Sequence, residues 1–274
     1  MGDEQVLGVT KVVNMLFGKA ALALLTLLHI KPESAEYPIT NSFSMELLVV
    51  LIMVLFFLWL RPRLRADRPG ATQQALEFVI TNPMGIGIKD LVDDIVGHGA
   101  ERHIPVVATI GLFILFSNMI SLIPGIASPT ATITVTLGLA TMVFLYYNAV
   151  GIGQHGGLHY AKTLLGPMPK LFPINLIMLI VETVSHFARV LSLSVRLWAN
   201  MMVSELLYVS FLALSLGVFV FVSEKSPIGY VTGVVPIGIP IILALLHVFV
   251  AFLQAFIFSI LAIVYLGLAS AEEH

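Results

Sequence analysis

Long apolar runs separated by short polar stretches dominate this chain of 274 residues. A helix that crosses the roughly 30 Å hydrocarbon core of a bilayer needs about 20 mostly apolar residues. Runs that fit this requirement, at least in their apolar content, occupy residues 45–60, 104–123, 133–152, 171–222 and 234–268. The pattern predicts an all-α membrane protein with about five to six membrane helices.

Two further stretches have a mixed pattern. Residues 6–30 are moderately apolar but are interrupted by Lys11 and Lys19, which is typical of an amphipathic surface helix. Residues 72–98 carry several acidic side chains, which indicates a surface segment in the cytoplasm. We therefore divide the chain into an N-terminal surface segment outside the cytoplasm, residues 1–42, and a membrane-embedded domain, residues 43–274.

The basic residues predict the orientation. Arg61, Arg63, Arg65 and Arg68 follow the first strongly apolar run, and loops rich in Lys and Arg remain in the cytoplasm. Alternation of the later runs then places the N-terminus outside and the C-terminus in the cytoplasm.

The last two apolar runs, 171–222 and 234–268, are much longer than a single perpendicular crossing requires. Either each run is broken, or both helices are steeply tilted. A tilt beyond about 20° has to be imposed by packing against a neighbour. We expect a strongly tilted hairpin of two long helices, a form that suits contact with a curved partner.

Composition excludes several classes of protein. Only 11% of residues are charged and 58% are hydrophobic, whereas a soluble domain has about 25% charged residues. The chain has no cysteine, which excludes disulfides and thiolate chemistry, and no metal site is predicted. The net charge of −2 gives no reason to expect nucleic acid as a partner, and no phosphate-binding glycine loop is present.

Arg196 is the most informative polar residue, since its guanidinium stays charged within an apolar run. Placing it at mid-bilayer costs at least about 2.5–3.5 kcal/mol, which a chain tolerates when the charge faces a partner or a water-filled path. Glu182 and Arg189 precede it at intervals of seven and fall within about 20° of one another on a helix. Glu205 lies half a turn out of phase, about 13–14 Å further along the axis.

Polar residues on the last run extend this pattern. His247 and Gln254 are seven apart and share a face, and histidine exchanges protons near neutral pH. Antiparallel pairing of the two long segments could bring Glu205 and His247 together. Two aqueous routes that do not meet, separated by a fixed arginine, would pass protons only through a carboxylate that shuttles between them.

Three classes of membrane protein compete as explanations of these buried charges. A proton-conducting subunit could use a shuttling carboxylate that a partner carries, whereas an autonomous proton or cation transporter often contains inverted repeats, which we do not find. A non-conducting scaffold would not need these charges. For single residues the structural alternative stays open: Gln254 could join helices by hydrogen bonds, and Ser185, Ser192 and Asn118 could be packing groups.

Two separated motifs resemble subunit a of the F-type ATP synthase. The first is Ser194-Val195-Arg196-Leu197-Trp198-Ala199-Asn200-Met201 followed by Glu205-Leu206, and the second runs from His247 through Gln254-Ala255-Phe256 to Tyr265-Leu266. Pro173-Ile174-Asn175 with Glu182, and Ser117-Asn118-Met119, extend the resemblance, which covers roughly residues 43–274. Some relatives have an acidic residue where this chain has Ser121.

The resemblance implies a role for each matched residue. Arg196 would be the essential charge that faces the rotating c-ring, with Asn200 supporting its placement. Glu205, His247, Gln254 and Asn118 would line the outer half-channel, and Glu182, Ser185 and Ser192 the inner one.

It also implies the setting of the chain. The partners would be the c-ring carboxylates, the subunit b peripheral stalk, the rest of the synthase and the lipid bilayer. The chain would be a non-catalytic stator subunit without a cofactor in a bacterial inner membrane, coupling proton flow to rotor rotation and ATP synthesis.

Overall fold

Each predicted membrane run contains an α-helix in the structure, a computed structural model. Among the residues that the structure describes, six helical segments are long and apolar enough to cross a membrane, including one near the N-terminus. All regular secondary structure among the described residues is helical, which confirms the all-α fold class. The structure describes residues 7–27, 29, 31, 36–65, 69–80, 87–97, 100–123, 126–157, 174–223 and 238–270.

The helices begin and end close to the predicted positions. In chain order they are α1 Gly8–Leu27, α2 Asn41–Leu60, α3 Ala71–Ile80, α4 Ile88–Val96, α5 Ile104–Ile120, α6 Ile133–His155, α7 Ile174–Ser223 and α8 Gly238–Ser270. Helix α5 ends three residues before the end of its apolar run, 104–123. Helix α6 continues three residues beyond its run, 133–152, since no proline or positively charged cluster stops it.

The two long segments are unbroken over their described lengths. α7 is one helix of 50 residues and α8 one of 33 residues, which excludes the alternative of broken helices. In the most apolar stretch of α7 only 11% of positions are buried, compared with 44% in the span that contains α5. Most of the α7 surface is therefore available to lipid or to another subunit.

Contacts divide the chain into two compact units, and both take part of α5, α7 and α8. The first unit comprises Met1–Pro62, Phe113–Thr132 and Asn200–Phe252, and the second comprises Arg63–Leu112, Ile133–Ala199 and Leu253–His274.

In the first unit, α1 and α2 begin side by side. The Leu7 backbone N–H donates to Asn41 Oδ1 at 3.3 Å. The Asn14 amide bonds both polar backbone groups of Ile39, donating from Nδ2 to the carbonyl at 3.0 Å and accepting at Oδ1 from the N–H at 2.9 Å. A short stretch before α2 therefore runs along α1, and the first turns of α1 stay close to the start of α2.

In the second unit, α4 packs against the chain near α5 and α8. Ile88, Val92, Val107 and Ile263 form a buried apolar cluster with Ala100. Gly267 of α8 faces Ile95 so closely that an added Cβ would lie 2.8 Å from the Ile95 carbonyl oxygen. The segment predicted to lie at the surface thus forms two short helices, of which α4 has a buried apolar side and an exposed acidic side.

Candidate functional site

His247 is the centre of a buried polar network in the first unit. Its side chain is 1% exposed, and its Nδ1 lies 2.7 Å from the Ser204 hydroxyl. Its Nε2 lies 3.0 Å from the Asn118 carbonyl oxygen and 3.0 Å from the Ser121 hydroxyl. We call this set the His247 network: Asn118, Ser121, Ser128, Thr130, Ser204, Glu205 and His247.

These contacts determine which ring nitrogen carries the proton. A carbonyl oxygen can only accept, so Nε2 bears the hydrogen that faces Asn118. Nδ1 of the neutral ring then accepts from the Ser204 hydroxyl. On gaining a second proton, the ring would donate from Nδ1 as well, and the Ser204 hydroxyl has only to rotate to accept that bond.

Glu205 joins the same network from another side. The Ser128 backbone N–H donates to Glu205 Oε2 at 3.3 Å, and the Ser128 hydroxyl lies 2.7 Å from that of Thr130. The Thr130 hydroxyl donates to Asn118 Oδ1 at 2.5 Å. A continuous series of polar groups therefore leads from half-buried Glu205 through Asn118 to His247.

Glu205 and His247, which the sequence predicts to come together, belong to one network, but their described bonds are to other residues. Ser204, which bonds His247, is the sequence neighbour of Glu205, while Glu205 itself bonds Ser128. The loop after α5 supplies the connecting groups because a short 3₁₀ helix, Pro129–Ala131, turns Ser128 and Thr130 inward. The Asn118 Nδ2 donor is buried and has no hydrogen-bond partner among the described residues.

A cavity of about 280 Å³ adjoins this loop. Ser128, whose N–H bonds Glu205, forms part of its wall, and Ser42 and Thr132 bond each other at 3.1 Å beside it. The remaining lining residues are Leu7, Asn41, Met45, Ala127 and Pro129. Because its lining includes the first turn of α2, the cavity lies at the level where that helix begins.

A second polar cluster lies in the second unit, around Glu182. Glu182 Oε1 is 3.4 Å from His186 Nε2 and 3.6 Å from an Arg189 terminal nitrogen. The Tyr147 hydroxyl of α6 lies 3.0 Å from His186 Nδ1. The Arg189 guanidinium stands over the Tyr265 ring of α8 at 5.7 Å. Two residues of the predicted stripe, Glu182 and Arg189, therefore contact each other as an ion pair.

Arg196 belongs to neither cluster. It is exposed on α7 between Ser192 and Asn200, which are also exposed and lie one helical turn away on either side. Leu193, Ser194 and Leu197 are buried instead, and the Ser194 hydroxyl bonds that of Thr136 at 3.1 Å.

Apolar side chains surround this exposed arginine. Val195 is 44% exposed and Leu191 is 56% exposed on the same helix. A permanent charge in such a surface needs a polar partner, and no ion pair of Arg196 occurs within the described chain.

The remaining predicted residues have mixed surroundings. Gln254 is buried at 4% exposure, and Ser185 is half-buried. Sequence reasoning missed Tyr147, Ser128, Thr130 and Ser204. Single hydroxyls of this kind are common in membrane helices and give no periodic signal, so only the folded loop and neighbouring helices identify them. Within the described residues, no three His, Asp or Glu side chains lie close enough to hold a metal ion.

Comparison with known proteins gives the family. Residues 43–267 match the family model described as ATP synthase A chain.

Three bacterial relatives are similar over most of their length. The ATP synthase subunit a of Solibacter usitatus is 39% identical, covering 93% of this chain and 97% of the relative. That of Koribacter versatilis is 34% identical over 97% of both chains. ATP synthase subunit a 1 of Syntrophotalea carbinolica is 36% identical, covering 83% of this chain and 84% of the relative. The two motifs, the apolar helices and these relatives together establish that the chain is a multi-pass membrane protein of the ATP synthase subunit a family.

Proposed function

We propose that this protein is the proton-conducting stator subunit of a rotary ATP synthase. The observation that carries the proposal is Arg196, a permanent charge exposed on an apolar helix in a chain of this family. Lipid cannot satisfy that charge, whereas a carboxylate presented by another subunit can. The partner surface is then the c-ring, whose carboxylates pass Arg196 one after another.

The His247 network serves as the outer half-channel. Protons enter the cavity beside Ser42 and Thr132, reach Glu205 past Ser128, and exchange with His247 through hydroxyls and water that Asn118 holds in place. The buried Nδ2 donor of Asn118 supports this role, because leaving such a donor unpaired is costly and water in a conducting path would satisfy it. Gln254 would extend this lining along α8.

The Glu182 cluster serves as the inner half-channel, together with Ser185 and Ser192. Glu182 is 37% exposed, so its carboxylate is accessible to a proton carrier as well as to Arg189. Arg196 lies between Glu182 and Glu205 along α7, as a barrier between the two routes. Its charge favours the ionised form of a rotor carboxylate and repels hydrated cations, and Asn200 supports its placement.

The assembly follows from this role. The chain catalyses no reaction itself and couples proton flow to rotation, while ATP chemistry belongs to other subunits. The long helices α7 and α8 lie tilted as a hairpin against the c-ring, and subunit b of the peripheral stalk holds the chain in place. The setting is a bacterial inner membrane, with the C-terminus in the cytoplasm.

The N-terminal helix α1 lies on the outer membrane surface and does not span the bilayer. Its first residues contact the start of α2, at the level where a membrane helix begins. If α1 crossed the bilayer from there, residues 28–40 would have to cross back within 13 positions that include Lys31, Glu33 and Glu36. Residues 36–40 form no helix, and backbone without regular hydrogen bonding is excluded from lipid, so this crossing is unfavourable.

The side chains of α1 fit a surface position. Met15, Leu16 and Leu24 are exposed, whereas Thr10, Asn14 and Gly18 are buried against the rest of the first unit. The apolar side can insert into the acyl boundary, and Lys11 and Lys19 remain near headgroups.

ATP-driven acidification of inverted membrane vesicles tests the function. We expect acidification with this chain present and none in vesicles that lack only this chain, with ATP hydrolysis still measurable. A secondary transporter would instead carry ions down an imposed gradient without the other synthase subunits, and that result would overturn the proposal.

A further inference from the structure

His186 is a titratable group that the family motif does not explain. It is held on both sides of its ring: Tyr147 bonds Nδ1, and Glu182 faces Nε2. Its side chain is 14% exposed, while Tyr147 is 2% exposed. The two rings are also stacked, with centroids 6.1 Å apart and an interplanar angle of 26°. The imidazole therefore has a fixed orientation between a buried hydroxyl and an accessible carboxylate.

This orientation suits one tautomer of the neutral ring. With the hydrogen on Nε2, that N–H faces the Glu182 carboxylate at 3.4 Å, and Nδ1 accepts from the Tyr147 hydroxyl. A second proton on Nδ1 would place a positive ring beside Glu182, in addition to Arg189 on the same carboxylate oxygen. Glu182 would then face two positive charges instead of one.

We propose that His186 is a positioning residue that sets how readily Glu182 takes up and releases protons on the cytoplasmic route. The proposal rests on the inner half-channel described above and adds a control point to it. The charged and titratable groups around His186 are Glu182 and Arg189 on its own helix and Tyr147 on α6, with Tyr265 of α8 over Arg189. Among these, histidine is the group that ordinarily changes charge near neutral pH.

The chain contains a matched control for this residue. His103 is 3% exposed and its Nδ1 lies 2.8 Å from the hydroxyl of Tyr146, the sequence neighbour of Tyr147. His103 forms no ion pair with a carboxylate in the described part of the chain. The two histidines thus share the tyrosine bond and the buried setting, and differ in the carboxylate.

The experiment measures the initial rate of ATP-driven proton pumping in inverted vesicles across a range of external pH. The external medium of these vesicles contacts the cytoplasmic face, where the inner route opens. Because the catalytic subunits are the same in every variant, their contribution to the pH dependence is common to all the profiles. We expect the wild-type profile to contain a step in the pH range where histidine ordinarily titrates. This step is expected to be absent in His186→Gln and present in His103→Gln.

Tyrosine substitutions provide a second readout that does not alter either histidine. Tyr147→Phe removes the bond to Nδ1 and is expected to displace the step, whereas Tyr146→Phe is expected to leave it in place. A His186→Gln profile with the wild-type step, or equal effects in both members of each pair, would overturn the proposal. Wild-type vesicles that do not pump at all would instead refute the proposed function.

Discussion

The free-energy cost of a charge in an apolar helix depends on the groups that it faces. The charged residues of α7 differ in this respect, since some have a partner within the chain and Arg196 is exposed. Glu182 and Arg189 satisfy each other within the chain, and Glu205 accepts a backbone bond from Ser128. Arg196 is exposed instead. At the residue scale, therefore, Glu182 and Glu205 have partners within the described chain, and Arg196 is the charge that we propose to be paired by another subunit.

The cavity beside Ser128 gives a prediction at this scale. A charged thiol reagent attached to Thr132→Cys, applied from the outer side, is expected to abolish most ATP-driven pumping because the adduct fills the route to Glu205. The chain has no cysteine of its own, so the label is specific within it. Cells are treated first, inverted vesicles are then prepared, and a reductant that removes the adduct is expected to restore pumping.

Gly8→Cys is the control for this measurement. Gly8 adjoins the lining residue Leu7 but has open space around it, so a label there should be tolerated and leave pumping unchanged. Full modification of Thr132→Cys with normal pumping would exclude the cavity as the entrance.

The element scale shows how far the sequence specifies this fold. Apolar length predicts α2, α5 and α6 well, since membrane helices depend mainly on continuous hydrophobicity. The seven-residue intervals predict the shared face of Glu182 and Arg189, because helical periodicity alone determines it. The loop groups Ser128 and Thr130 were not predictable, since their inward direction depends on a 3₁₀ turn and on contacts with distant helices.

α1 illustrates the limit of hydropathy as a guide. By length and composition it qualifies as a span, with a mean hydropathy of 1.4, lower than the 2.6 of α2. Its contacts with Asn41 and Ile39 favour the surface position instead.

Single cysteines at the two ends of α1 test its position. With a membrane-impermeant maleimide, we expect Gly8→Cys and His29→Cys to react from the same, outer side of the membrane. A spanning helix would bring them to opposite sides, and that labelling pattern would contradict the surface position. Arg63→Cys, in the basic segment after α2, is expected to react from the cytoplasmic side and provides the reference.

At the scale of the whole molecule, the two polar sites belong to different compact units, and α7 runs through both. One unit contains the His247 network and its cavity, and the other contains the Glu182 cluster. We propose that each of these two sites belongs to one half-channel. The account depends on Arg196 as the barrier between the two routes.

The most direct measurement compares wild type, Arg196→Ala and Arg189→Ala in inverted vesicles at equal assembly, for both ATP-driven acidification and passive proton leak. Two unit charges about 4 Å apart interact by about 4 kcal/mol at an effective dielectric of about 20. If the barrier to proton passage falls by that amount, the rate of the leak rises by roughly three orders of magnitude. We predict that Arg196→Ala abolishes pumping and strongly raises the leak, while Arg189→Ala leaves the vesicles tight. Normal pumping by Arg196→Ala in tight vesicles would contradict the account.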